Sequence, residues 1–264
     1  ILDRLPPGPA PARAALDIAL HDLAGKRLGA PLYRLWGLNP ARAPLSSYTI
    51  AIEADEAALR QKLREAAHFP VLKLKLGSGS LDVDEAAVRT ARAELPNAQL
   101  CVDANAGWSV SEAAAVIPRL AAYGLLFVEQ PLARDNLDGW RELRRRLPAG
   151  MPPLIADESA HTSRDLPPLA GAADGINIKL AKAGGLREAW RMIQLARAFD
   201  LRVMIGCMVE SAVGITAAAH LAPLVDYADL DGNLLVSNDP YRGAQMQAGV
   251  LTLPDGPGLG VTRA

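Results

Sequence analysis

The 264-residue sequence has almost no net charge: 28 Lys and Arg against 29 Asp and Glu give a formal −1 at pH 7. That balance supplies no electrostatic reason to expect nucleic acid or an anionic membrane as a partner. No apolar run approaches the roughly 20 residues needed to span a bilayer. The opening stretch lacks a basic segment followed by an apolar one, so it does not have the pattern of a signal peptide. Cysteine is scarce. Cys101 and Cys207 lie far apart in apolar surroundings, which fits reduced thiols in a cytoplasmic protein better than a disulfide scaffold. There is no low-complexity tract and no initiator Met. The chain opens directly into the proline-rich "ILDRLPPGPAPAR", so natural sequence is expected to precede it.

What is present is ordinary globular material, 50% apolar and 22% charged. Its organisation is a repeated unit, in which a short β-type run is followed by a longer Ala/Leu/Arg-rich stretch with helical spacing. Strands are predicted over 45–52, 71–76, 99–103, 125–129, 154–157, 175–178, 202–205 and 227–230. Helices are predicted over approximately 54–68, 81–95, 111–122, 136–146, 163–170, 186–198 and 212–222. Turn signals such as "LPNAQ", "LPAGMPP" and "GAADG" precede strands. Eight strands alternating with helices predict an α/β fold of the (β/α)8 TIM-barrel type rather than a doubly wound sheet. The expected division is a helical segment or linker over 1–44, the barrel over 45–240 and a glycine-rich C-terminal segment over 241–264 that lies outside the repeat.

In such a barrel the chemistry comes from the C-terminal ends of the strands. Lys73 and Lys75 end the second predicted strand, Asp103 the third, Glu129 the fourth and Asp157 the fifth. Lys179 ends the sixth, and Asp229 with Asp231 the eighth. From Lys75 through Asp103, Glu129 and Asp157 to Lys179 the steps are 28, 26, 28 and 22 residues, one βα unit each. Three carboxylates converging on one rim would repel one another, and a hard divalent cation removes that cost; all-oxygen ligation favours Mg²⁺ over Zn²⁺ or copper. A single strand-end Asp is more often a helix cap or turn former. Three in register, each behind a β-type run ("LCVD", "LFVE", "LIAD"), are not explained that way.

The run "VLKLKLG" raises a question of its own. Leu72, Leu74 and Leu76 share one face, Lys73 and Lys75 the other. If the leucines pack on helices outside the barrel, the lysines point inward. An ammonium there is costly unless it meets negative charge. Metal-bound carboxylates and an anionic substrate would provide it. A lysine whose pKa is lowered by a neighbouring cation serves as a base near neutral pH. Lys75 and Lys179 then form a pair able to remove a proton from one face of a carbon and return it to the other. Lys182 is the rival to Lys179, but should already be leaving the strand. His21, His68, His161 and His220 are scattered, and each reads as structural or surface. Glu85, Glu94, Glu142 and "RELRRR" read as solvated helix faces.

The series "KLKLG", "VDANAGW", "VEQPL", "ADES" and "NIKLAKAGGL" resembles the enolase superfamily, within its muconate-lactonizing-enzyme-like subgroup. The resemblance implies a modified TIM barrel that abstracts a proton α to a carboxylate. One Mg²⁺ per subunit would be held by Asp103, Glu129 and Asp157 and would stabilise an enediolate. Lys75 and Lys179 match the acid/bases, and Lys73 matches a lysine that contacts the substrate carboxylate. "ADLDG" and "IGCMVESAVGITAAAHLA" are most similar to the dipeptide epimerases, L-Ala-D/L-Glu epimerases among them. On that likeness Asp229 and Asp231 hold the ammonium of a small dipeptide, and Thr49, Cys207 and Met208 contact the substrate. A homo-oligomer is compatible with the family. The family's N-terminal α+β capping domain is largely absent from this sequence. Three other readings compete: an o-succinylbenzoate synthase or muconate cycloisomerase-like lyase, a non-catalytic truncated barrel, and a Schiff-base aldolase. Asp229 and Asp231 would repel the dicarboxylates of the first, and three clustered acids are unexplained by the last.

Overall fold

The computed structural model describes residues 8–264; the first seven residues of the expected 1–44 segment lie outside them. Eight strands form one sheet in chain order: β1 (Tyr48–Ile50), β2 (Val71–Lys75), β3 (Gln99–Asp103), β4 (Leu125–Glu129), β5 (Leu154–Ala156), β6 (Gly175–Lys179), β7 (Arg202–Gly206) and β8 (Tyr227–Asp229). The pairings β1 to β6 and β7–β8 are parallel. Ser46, two residues before β1, bridges Ala228 of β8 in parallel fashion. Sequential parallel order with an α-helix after each of the first seven strands is the (β/α)8 pattern expected from the sequence.

The chain divides into two compact units. One contains Ser47–Ala160 with Pro167–Ile176. Its helices are α3 (Glu56–Glu65), α4 (Leu81–Glu94), α5 (Val110–Ala121) and α6 (Leu137–Arg146). Their starts are encoded locally. Asp55 accepts the Ala58 N–H ahead of α3, Asn136 accepts the Gly139 N–H ahead of α6, and Ser109 with Glu112 forms a full capping box on α5. Leu72, Leu74 and Leu76 are buried, as are Leu59 and Leu63 of α3 and Val88 and Ala91 of α4. The helix acids are more engaged than a solvated face would require. Glu94 of α4 accepts from Arg60 of α3, and Glu85 accepts from Arg119 and Tyr123 beyond it. Arg144 pairs with Asp174. Ties near the surface such as these contribute about 0–1 kcal/mol each, so they set helix spacing more than stability.

The other unit contains the chain up to Ser46, His161–Leu166 and Asn177–Ala264. The helix-like opening segment forms α1 (Ala10–Leu28) and α2 (Leu32–Leu35), separated by Gly29 in the left-handed region. After β6 comes a one-turn helix, α8 (Leu180–Ala183), then α9 (Leu186–Ala198), and α10 (Ala212–Ala219) follows β7. The segment predicted as a helix over 163–170 forms a 3₁₀ turn (Ser163–Asp165) running into the short α7 (Leu166–Leu169). The C-terminal stretch folds as two small antiparallel pairs, β9 (Tyr241–Arg242) with β12 (Thr262–Arg263), and β10 (Gln245–Gln247) with β11 (Val250–Thr252). The second pair turns on Ala248 and Gly249, both at positive φ, the geometry of a two-residue hairpin loop. Among the described residues no helix is long and apolar enough to cross a membrane.

His220 joins three segments of this second unit. Its Nδ1 accepts the Tyr33 backbone N–H at 3.1 Å, which leaves Nε2 as the protonated nitrogen facing the Leu259 carbonyl at 3.3 Å. Protonating Nδ1 would set two donors against each other. Burial lowers its pKa from 6.5 to about 4, against the opposing pull of the Leu259 carbonyl and of Asp22. The unfolded chain therefore binds the proton first as pH falls, and stability is lost between pH 6.5 and 4. The unfolding free energy should drop by about 2 kcal/mol from pH 7 to pH 5 on this account. In urea melts at both pH values, His220→Gln should show a drop smaller by that amount; an unchanged difference would remove His220 as the cause.

Candidate functional site

Parallel pairing carries the chemistry of the first unit to one end of its strands. Lys75 lies opposite Asp103, and Asp103 opposite Glu129. Asp157 directly follows β5. Asp103, Glu129 and Asp157 are buried and present oxygens that all lie within 4.8 Å of one another. At that separation two like charges repel by about 3 kcal/mol in an effective dielectric near 20, a large fraction of a typical domain's net stability. Lysines offset part of it. Lys73, 2% exposed, places Nζ 3.5 Å from Glu129 Oε2 and 3.9 Å from Asp103 Oδ2. Lys75 Nζ donates to Asp103 Oδ2 at 2.6 Å and to Asn105 Oδ1 at 2.9 Å. Three close carboxylates with only oxygen donors fit a hard divalent cation such as Mg²⁺, and not a soft one. Thr49 of β1 pairs in register with Lys73.

Two residues near this cluster were not singled out from the sequence. Gln130, buried at positive φ after β4, accepts the Asp157 and Ser159 N–H groups on Oε1 and donates to the Leu132 carbonyl and Ser159 Oγ. It fixes the turn that presents Asp157. Asn105, also at positive φ, bridges Lys75 to Glu158. Both lie inside motifs already noted, "VEQPL" and "VDANAGW". A side-chain amide next to proline, like Gln130, or two residues before glycine, like Asn105, looks like a turn former in sequence, which hides its second role.

The second unit carries the remaining predicted residues. Lys179 is the last residue of β6 and is buried, whereas Lys182 sits on α8. Gly206 ends β7 opposite Asp229. A Cβ on Gly206 would lie 2.6 Å from the buried Asn177 side chain, so only glycine permits that approach. Asp229 and Asp231 are both buried. Asp229 closes β8, and Asp231 heads the 3₁₀ turn Gly232–Leu235. Cys207 Sγ lies 4.0 Å from Asp231 Oδ1. Burial, then the charges of Asp229 and Asp231, push its thiol well above the usual range. Burial also raises the Glu210 carboxyl, opposed by the Met208 N–H bond and by the charge of Lys179. Met208 is half exposed and, with Lys182, lines an open cavity of about 950 Å³.

Residues 54–263 match the family model described as Enolase C-terminal domain-like, and residues 2–37 match Mandelate racemase / muconate lactonizing enzyme, N-terminal domain. The chain belongs to the mandelate racemase/muconate lactonizing enzyme family of the enolase superfamily. Within that family it is similar to an L-Ala-D/L-Glu epimerase of Bacteroides thetaiotaomicron, 44% identical over 99% of this chain and 67% of the relative. A hydrophobic dipeptide epimerase of Roseobacter litoralis is 42% identical over 94% of this chain and 72% of its own. A dipeptide epimerase structure from Enterococcus faecalis, complexed with Mg and the dipeptide L-Leu-L-Tyr, aligns with a TM-score of 0.90. It is 34% identical and covers 98% of this chain and 75% of that one.

Mg²⁺ should raise the thermal midpoint, because a ligand that binds only the folded state stabilises it. Asp157→Asn should lose that rise, and in EDTA should melt no lower than the parent protein, since one buried like charge has been removed. A full Mg²⁺ shift in Asp157→Asn would take this residue out of the ligand set.

Proposed function

We propose that the protein is a Mg²⁺-dependent dipeptide epimerase that inverts the carbon α to the C-terminal carboxylate by two-lysine proton transfer. The observation that carries this reading is the buried Asp103–Glu129–Asp157 cluster with Lys73 and Lys75 against it. The support for the substrate class is the family's named relatives, which are dipeptide epimerases. The protein is accordingly an isomerase.

Asp103, Glu129 and Asp157 would hold one Mg²⁺ per subunit. Bound there, the cation supplies Lewis-acid stabilisation of the carboxylate next to the carbon that loses its proton. Lys73, buried among acids, would clamp that carboxylate. Lys75 and Lys179, each at its strand end, would exchange the proton on opposite faces. Asp229 and Asp231 would bind the dipeptide's ammonium, with Thr49, Cys207 and Met208 as further substrate contacts. Two buried carboxylates at the end of β8 disfavour the dicarboxylate substrates of the lyase reading. The barrel over 45–240 is the catalytic domain in this account, and the setting is cytoplasmic.

Incubating L-Ala-L-Glu with Mg²⁺ in D₂O should place deuterium on the glutamate α-carbon and give the L,D epimer. Lys75→Ala and Lys179→Ala should each slow epimerisation by about 10²–10⁴-fold. Asp229→Asn with Asp231→Asn should lower kcat/KM by about 10–100-fold through lost charge-assisted bonds. No α-exchange from any of a panel of dipeptides would refute the proposal, and full activity in the Asp229/Asp231 double variant would favour the lyase.

A further inference from the structure

Asp84 is a charged residue with 1% exposure in the first unit, and nothing in the chemistry above employs it. It lies in the first turns of α4, two residues after Asp82, whose side chain is 88% exposed and meets Arg119 at the surface. The two aspartates are chemically identical and differ in where the helix points them. Side chains on a helix lean toward its N-terminus, and that of Asp84 reaches back over the turn that follows β2. Its Oδ2 accepts the Gly77 N–H at 3.1 Å and its Oδ1 the Ser78 N–H at 3.1 Å. Oδ2 also accepts the Trp108 indole N–H at 2.9 Å. Ser80, the residue before α4, makes no side-chain cap; the carboxylate of Asp84 ties the helix to the turn before it, beside the bonds of Ser78 Oγ to Ser80.

The three donors come from two strand-end turns. Gly77 and Ser78 stand two and three residues beyond Lys75. Trp108, itself buried, closes the turn that begins at Asp103 and contains Asn105. These turns touch directly: a Cβ on Gly77 would lie 2.6 Å from the Ala104 carbonyl oxygen, and φ of Gly77 is +82°. The second turn is strained, with Asn105 at φ 42° and Ala106 at φ 63°. Non-glycine residues hold such values only where surrounding bonds fix them. Lys75 is bonded to both Asp103 and Asn105, so any relaxation of this turn moves its partners.

We propose that Asp84 is a positioning residue for Lys75, clamping the turns after β2 and β3 in one register through Gly77, Ser78 and Trp108. The carboxylate itself never touches substrate. The functional part of this inference rests on the acid/base role given to Lys75 above; the clamp does not.

Two measurements separate the clamp from that role. In amide hydrogen exchange by mass spectrometry, Asp84→Asn should raise exchange across 76–80 and 104–108 by about tenfold or more, leaving 186–198 at the parent's rate. Trp108→Phe, which keeps the ring and removes only the indole donor, should raise the same two segments by less; it also provides a test if Asp84→Asn fails to fold. Unchanged protection at both segments, or a rise spread over the whole chain, would overturn the clamp. In D₂O with Mg²⁺, α-deuterium uptake is then followed from L-Ala-L-Glu and from L-Ala-D-Glu separately. Lys75→Ala should abolish uptake from one of them. Asp84→Asn should slow uptake from that same epimer by about 10²-fold, the cost of an ångström-scale misplacement, and from the other by much less. Equal loss from both would overturn the assignment to Lys75. If Lys75→Ala itself fails to single out one epimer, the two-lysine reading fails, while the exchange data still decide the clamp.

Discussion

The like-charge repulsion among Asp103, Glu129 and Asp157 is the constraint around which the first unit is arranged. Three carboxylates with oxygens within 4.8 Å, all removed from water, cannot be held by packing alone. The chain meets this with opposite charge from the neighbouring strand. Lys73 stands against Glu129 and Asp103 from below, and Lys75 donates directly to Asp103. The lysines depend on the acids in turn, because burying an ammonium such as that of Lys73 is costly and opposite charge beside it offsets that cost. Each half of the cluster is tolerable only in the presence of the other.

That dependence explains the composition of β2. Its leucines take the face that packs on the helices, and its lysines take the face that carries the cluster. Strand periodicity is two, so a slip of one residue would bury Leu74 among carboxylates and drive both ammoniums into the helix layer. The register β2–β3, with Lys73 opposite Cys101 and Lys75 opposite Asp103, is therefore enforced by charge as well as by apolar burial. The two lysines are not equivalent within it. Lys73 is almost sealed, while the side chain of Lys75 is 27% exposed, which suits the acid/base role proposed for it.

The strands, most helices and all three acids were legible in the sequence because their signals are periodic. β3, β4 and α9 have their predicted limits, and the strand-end steps of one βα unit located the carboxylates without any side-chain geometry. The residues that were not legible act through single contacts across the chain. Asp84 and Asp82 cannot be told apart from a helical pattern, since both are acids in a first turn, where either is favourable. Gln130 and Asn105 lie within motifs that the sequence displays, but which amide or ammonium their side chains reach is hidden there. Glu85 and Glu94 read as solvated, and instead reach arginines beyond their own helix. The pairs β9–β12 and β10–β11 are too short, at two or three residues, to show alternation.

The neighbours of the strand-end acids include lysines in the first unit and the thiol of Cys207 in the second. Asp103 and Glu129 have lysines in direct contact, and with Asp157 they offer the donor set of a hard cation. Asp229 and Asp231 have beside them a thiol that burial and their own charges keep protonated. A thiolate there would add a third negative charge and a soft ligand, attracting metals that a carboxylate pair does not select. A neutral thiol, directed at Asp231 Oδ1 at 4.0 Å, adds no charge to the field of the two carboxylates. Recognition of an ammonium, the role proposed for this pair, calls for fixed negative charge and no soft anionic donor to divert it. The same acids that would bind the ligand thus also hold their neighbouring sulfur in the state that keeps the position selective.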